Sequence, residues 1–315
     1  MTINKTLKTF ASGCAIAALS LGAGACAQMQ STPTPVASTQ VPASDVELGG
    51  PALWRVADDD TTIYVFGTVH ALPEDIDWYT GPVKDALSES DELVTEVDMT
   101  PESMATIPAI VQKTAMLPAG TTVRSLMNGT ERATYEGALT DLGMPVNSLD
   151  QLEPWFAALT LSQVAFQKAG FTGENGTETV LESIVGDTKG RDALETIEFQ
   201  LSIFDGLPQD AQVEYLIETA QEIDGIAPML QTMIDEWAAG DVDDLGELLN
   251  EALEADPALA NRLLYARNAN WASWIDERLD QPGTVFMAVG AGHLAGNQSL
   301  QDKLAERGIS ITRIQ

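Results

Sequence analysis

Ile63-Tyr64-Val65-Phe66-Gly67-Thr68-Val69-His70 and Phe286-Met287-Ala288-Val289-Gly290-Ala291-Gly292-His293 repeat one pattern: an apolar run, a glycine, and a histidine three residues later. Short apolar runs bounded by glycine read as buried strands. A glycine at the carboxyl end of such a strand lets the chain turn through conformations closed to other residues. The following loop then lies at the sheet edge, where open α/β sheets place their ligands. His70 and His293 are the only two histidines in 315 residues. At ordinary glycine usage, a given residue has a glycine three places before it about 8% of the time. Two matches out of two stand well outside that expectation. If the strands are neighbours, both imidazoles enter one crevice, and neutral imidazole is the commonest protein metal ligand. The competing reading is two rim or core histidines satisfied by backbone hydrogen bonds, and the matched settings make it the second choice.

Working outward, Ala52 to Val56 and Thr62 to Phe66 form two short strand patterns around the turn Asp58-Asp59-Asp60, which predicts a hairpin. Pro82 suits the first turn of a helix over Gly81 to Ser90. Glu92 to Val97 is a third strand. Glu96 lies near its end, where a solvated charge is unexpected, so it is the leading carboxylate to join the histidines. Asp98 is the alternative. Two His and one Glu form a known catalytic ligand set with positions left for water and substrate.

From Pro101 to about Asp280 the pattern reads as helical, with apolar residues at three and four spacings in Trp155 to Lys168, Ala211 to Ile223, Met229 to Ala239 and Pro257 to Leu279. Trp155, Trp237, Trp271 and Trp274 fall on apolar helix faces and read as core packing. Gly283 to Val289 is a strongly apolar strand; a helix from Ser299 to Arg307 and a last strand from Ser310 to Ile314 follow. The expected fold is α/β: a central mixed sheet flanked by helices, with a large helical insertion between the N- and C-terminal strand units.

The chain carries 47 acids against 16 bases, a formal charge of −31, which disfavours nucleic acid. Its mean hydropathy of −0.02 excludes a polytopic membrane protein. Lys5 and Lys8 precede an uncharged run from Phe10 to Ala25, so residues 1–27 read as a signal peptide. Cleavage after Ala27 would release a soluble chain. Ala23-Gly24-Ala25-Cys26 instead resembles a lipobox, which would lipidate Cys26, and Cys14 is a poorer candidate. Residues 28–50 read as a disordered linker and 51–315 as the folded domain. The expected location is the periplasm or a lipid anchor on the cell envelope, with membrane contact only through that leader or lipid. Both cysteines lie in the leader, so the body has no disulfide and no cysteine ligand. Asp241-Val242-Asp243-Asp244 is no calcium loop, because its twelfth position is Ala252; Asp241 reads as a helix cap. No phosphate loop or Gly-x-Ser-x-Gly elbow is present.

Leu53-Trp54-Arg55, Tyr64 to His70, and Leu93 to Asp98 together resemble the opening of the TraB/GumN family. That family includes Tiki-type metalloproteases and pheromone-shutdown proteins, with erythromycin esterases as distant relatives. Glu153-Pro154-Trp155, Leu194-Glu195-Thr196, Trp237 to Asp241, Ala266-Arg267-Asn268 with Trp271, and Val289 to Leu294 continue the likeness. The resemblance implies that His70, Glu96 and His293 bind a divalent ion (Zn, Mn or Co). It further implies that Glu96, Arg267 and Glu195 are catalytic, with Arg267 placed to stabilise an oxyanion. The resulting expectation is a peptidase-like, metal-dependent hydrolase of the bacterial envelope, acting on a peptide or protein. The alternative is a non-catalytic envelope lipoprotein that binds a peptide, a glycan or haem.

Overall fold

The computed structural model of the chain describes residues 49–254 and 257–315. The segments expected to be a leader, with Cys14 and Cys26, and a linker, up to residue 48, lie outside the described residues. Six strands form one mixed sheet: β1 (Leu53–Ala57), β2 (Thr61–Thr68), β3 (Glu92–Val97), β4 (Gly190–Glu195), β5 (Gly283–Gly290) and β6 (Thr312–Arg313), in the order β4-β3-β5-β2-β1-β6. The β1–β2 hairpin turns on Asp58, whose Oδ1 accepts the amides of Asp60 and Thr61. β2, β5, β3 and β4 are parallel, and β1 and β6 close one edge antiparallel.

The position of β5 brings the two ends of the chain together. It is the last long strand in sequence, yet it lies between β2 and β3. Val285 to Val289 are fully buried, as a strand covered on both faces requires. Phe286 and Ala288 point into one core with Phe66, Leu53 and Leu93. Val285, Met287 and Val289 point into the other with Ile63, Val65, Trp271 and Ile275. This period-two division makes a layer of helices on each face. Each large apolar side chain so buried contributes roughly 1.5–3 kcal/mol.

Helices α1 (Gly81–Glu89), α2 (Pro101–Met104), α3 (Ile107–Thr114), α4 (Gly129–Asp141), α5 (Pro154–Lys168) and α6 (Thr177–Val185) precede β4. Then come α7 (Ile197–Asp205), α8 (Gln209–Gln221), α9 (Ile223–Ala239), α10 (Val242–Glu254) and α11 (Pro257–Ala260). A π-helical segment, Asn261–Tyr265, runs into α12 (Ala266–Leu279), and α13 (Leu300–Glu306) is capped by Ser299. Asp241 Oδ1 accepts the Asp244 amide, capping α10 as its sequence suggested.

Two expectations change. The stretch from Pro101 to Asp280 is not helical throughout, because β4 lies inside it and extends the sheet beside β3. Gly190 to Glu195 is an edge strand with three charges and a half-exposed surface, so it lacks the apolar run that marks a buried strand. The glycines of the two histidine motifs also serve space rather than torsion. Neither has a positive φ, and Gly67 lies within β2. A Cβ on Gly67 would stand 3.3 Å from Ala291, and one on Gly290 would stand 3.2 Å from Glu96 Oε1.

Candidate functional site

The carboxyl ends of the parallel strands converge. Thr68 of β2 lies opposite Gly290 of β5, and Val97 of β3 lies opposite Glu195 of β4. His70 follows β2, His293 follows β5, and Glu96 and Glu195 stand at the ends of β3 and β4. Arg267 reaches the same place from α12. All five residues singled out in the sequence therefore meet in one cluster of buried side chains, and Asp98, the alternative to Glu96, is exposed.

Arg267 is at the centre and only 1% exposed. Its Nη2 donates to Glu96 Oε2 at 2.5 Å and to Glu195 Oε2 at 2.8 Å. Nε donates to both oxygens of Glu195, at 2.9 and 3.1 Å. Nη1 donates to the Leu263 carbonyl at 2.9 Å, an oxygen presented by the π-helical turn, and lies 3.0 Å from His293 Nε2. The guanidinium also sits 4.8 Å from the centroid of the Trp271 ring. Trp271 Nε1 donates to Glu195 Oε1, so a tryptophan expected only to pack also holds a site carboxylate.

Glu96 is saturated. Besides Arg267 it accepts Gln200 Nε2 at 2.9 Å on Oε2 and the Gly290 amide at 2.7 Å on Oε1. Burial alone would raise its pKa; Arg267, then His293 and His70, outweigh burial and hold it at about 2. It is a carboxylate throughout the ordinary pH range.

The two imidazoles are held by their Nδ1 atoms. His293 Nδ1 is 2.6 Å from Asn268 Oδ1, and the Asn268 amide is oriented by Nδ2 donating to the Gln298 carbonyl. Nδ1 therefore carries the proton, and Nε2 offers a lone pair to Arg267. Burial, then the Arg267 charge, drives the His293 pKa well below 6.5, so the ring is neutral. It lies against Trp271 with centroids 4.1 Å apart. His70 Nδ1 is 2.5 Å from Glu178 Oε1, close enough for an ion pair but off the alignment of a good hydrogen bond. Burial would lower the His70 pKa; Glu178 outweighs it and raises the value. Burial likewise opposes the charge on Glu178, and His70 overcomes it, lowering that pKa.

Glu178, Gln200 and Asn268 complete the site. Glu178 and Gln200 read as helix polar residues in sequence and carry no periodic signal that separates them from solvated ones. The α6 start is locked to the His70 loop: the Thr177 amide donates to the Val69 carbonyl, and the Val69 amide donates to Thr177 Oγ1. Gly176 permits this approach, since a Cβ there would lie 2.2 Å from the His70 carbonyl oxygen.

His293 thus has an outer acceptor on Nδ1, the arrangement that orients metal-binding imidazoles in general, while His70 Nδ1 meets Glu178 as an ion pair. His293 Nε2 is 3.8 Å from Glu96 Oε1. Among the described residues, however, the one trio of His, Cys, Asp or Glu side chains with all ligand atoms within 4.8 Å is Glu236, Asp241 and Asp244. That trio is exposed or half-exposed, and the positive charge of Arg313 is nearby to balance it. No described helix is long and apolar enough to cross a membrane.

The model of the TraB/PrgY/gumN family matches residues 52–313. No curated protein and no solved structure matches the chain.

Proposed function

Because the chain belongs to the TraB/PrgY/gumN family, we propose that its crevice is the active site of a metal-dependent hydrolase that acts on a peptide or protein in the cell envelope. One observation carries this reading: His70, Glu96, His293 and Arg267 converge at the carboxyl ends of adjacent parallel strands. Buried, charge-tuned side chains gathered in one place mark functional sites, which supports this reading. The envelope location rests on the leader-like residues 1–27.

The donor set suits a divalent ion by its chemistry: His70 Nε2, His293 Nε2 and a carboxylate oxygen of Glu96 would hold it. Bound there, the ion would polarise a carbonyl and lower the pKa of water. The chain's own residues supply the rest. Asn268 fixes which ring nitrogen of His293 faces the site, and Glu178 pairs in charge with His70 Nδ1. Arg267 would act on a developing oxyanion through its permanent positive charge rather than a hydrogen bond, since its N–H groups serve Glu96, Glu195, Leu263 and His293. Glu195, Gln200 and Trp271 hold that guanidinium and Glu96 in register.

The test is cleavage of a mixed peptide library by the purified domain with added Zn2+, Mn2+ or Co2+. Cleavage is expected in the wild type and should be lost in His70→Ala, His293→Ala and Glu96→Gln, each compared at a temperature where circular dichroism shows it folded. No cleavage with any ion, or full cleavage by the histidine variants, would overturn the reading.

A further inference from the structure

We propose that Arg267 is an internal competitor for the cation: its contact with His293 and occupation of the site by a divalent ion exclude one another. This inference rests on the metal-dependent reading above. Three observations lead to it. The His293 tautomer is fixed by Asn268, which leaves one lone pair, on Nε2, facing the crevice. Arg267 Nη1 already takes that lone pair at 3.0 Å. The same guanidinium takes Glu96 Oε2 through Nη2, while the Gly290 amide takes Glu96 Oε1.

A nitrogen lone pair serves one partner at a time, and a guanidinium cannot deprotonate to vacate it. One proposed ligand, His293 Nε2, is therefore capped by a cation that belongs to the protein, and that same cation also holds one oxygen of Glu96. That also accounts for ligand atoms spaced more widely than a filled site allows. The rest of the guanidinium is anchored independently of His293. Glu195 binds Nε and Nη2 from the side away from His293, and Trp271 covers the guanidinium face. A rotation that takes Nη1 off His293 would uncover Nε2 at the cost of its bond to the Leu263 carbonyl, while Gln200 continues to hold Glu96 Oε2. Arg267 would then set how readily the site takes an ion, apart from any role toward substrate.

Zn2+ is titrated into the 15N-labelled domain, following the His293 ring nitrogens and the Arg267 guanidinium by NMR, and separately into Arg267→Gln by calorimetry. The expected result is that the His293 Nε2 and Arg267 Nη signals of the wild type move together with one half-saturation point. Arg267→Gln should bind Zn2+ at least tenfold more tightly. If Zn2+ binds the wild type at the histidines while the Arg267 signals stay fixed, the competition is wrong and the metal-dependent reading stands. If neither protein shows a histidine shift, both fall. Should Arg267→Gln fail to fold, the wild-type titration decides alone.

Discussion

Thr68 and Gly290 are register partners on adjacent parallel strands, so His70 and His293 leave the sheet side by side although 223 positions separate them in sequence. The insertion of β5 between β2 and β3 makes this possible, and Glu96 of β3 flanks the same strand end. The chemistry proposed above depends on that register, and each consequence below tests one part of it.

Gly290 faces the crevice with an ordinary backbone, φ −50° and ψ 133°. A methyl there would stand 3.2 Å from Glu96 Oε1, 3.7 Å from His293 Cδ2 and 3.9 Å from His70 Nε2. Gly290→Ala should therefore fold, losing about 1 kcal/mol and roughly 2–4 °C in melting, while it abolishes turnover and ion binding. Unchanged ion binding by calorimetry would show that the space between the rings is not the site.

Gly176→Ala should be far more harmful to folding. Its Cβ would meet the His70 carbonyl oxygen at 2.2 Å and the carbonyl carbon at 2.8 Å, both backbone atoms that cannot step aside. A cost at the upper end of about 1–3 kcal/mol, or beyond it, is expected. A thermal melt within a degree of wild type would contradict the packing of α6 on the His70 loop.

Asn268→Ala leaves His293 Nδ1 buried without its acceptor, which should cost about 1–3 kcal/mol by urea denaturation. In a His293→Phe background the same substitution should cost much less, because the donor is gone. Equal costs in both backgrounds would mean that the Asn268–His293 bond contributes nothing.

Acid should weaken the fold in two stages. His293 is held neutral with its pKa well below 6.5, so the unfolded chain gains a proton there that the folded chain refuses, and stability falls as pH drops below 6.5. Glu96 is lowered from 4.5 to about 2, and its contribution, present above 4.5, is lost as pH falls towards 2. Glu178 is lowered too and acts in the same direction. His70 has the opposite sign. Its raised pKa gives a contribution that is full below 6.5 and lost as pH climbs through the folded value. Urea midpoints from pH 3 to pH 8 should show the acid loss, and Glu96→Gln should flatten its lower stage. A profile that rises steadily towards pH 3 would contradict these charge assignments.

Much of this site was legible because its anchors are rare or oddly placed. Two histidines share one motif, and Glu96 interrupts an apolar strand. The family resemblance added Arg267 and Glu195. β4 was not legible: a six-residue edge strand with three charges gains its identity from β3 beside it. Glu178 and Gln200 were hidden for a related reason. On a chain of net charge −31, a polar helix residue reads as solvated until a neighbouring element covers it. The role of the motif glycines was also misread, since close contact with Ala291 and Glu96 requires them and backbone torsion does not.

The most direct measurement is a crystal of the domain soaked in Zn2+ and imaged at the zinc absorption edge. One anomalous peak is predicted, about 2.0–2.1 Å from Nε2 of both His70 and His293, beside Glu96 and with Arg267 Nη1 moved off His293. A peak confined to Glu236, Asp241 and Asp244, or none between the imidazoles, would contradict the account.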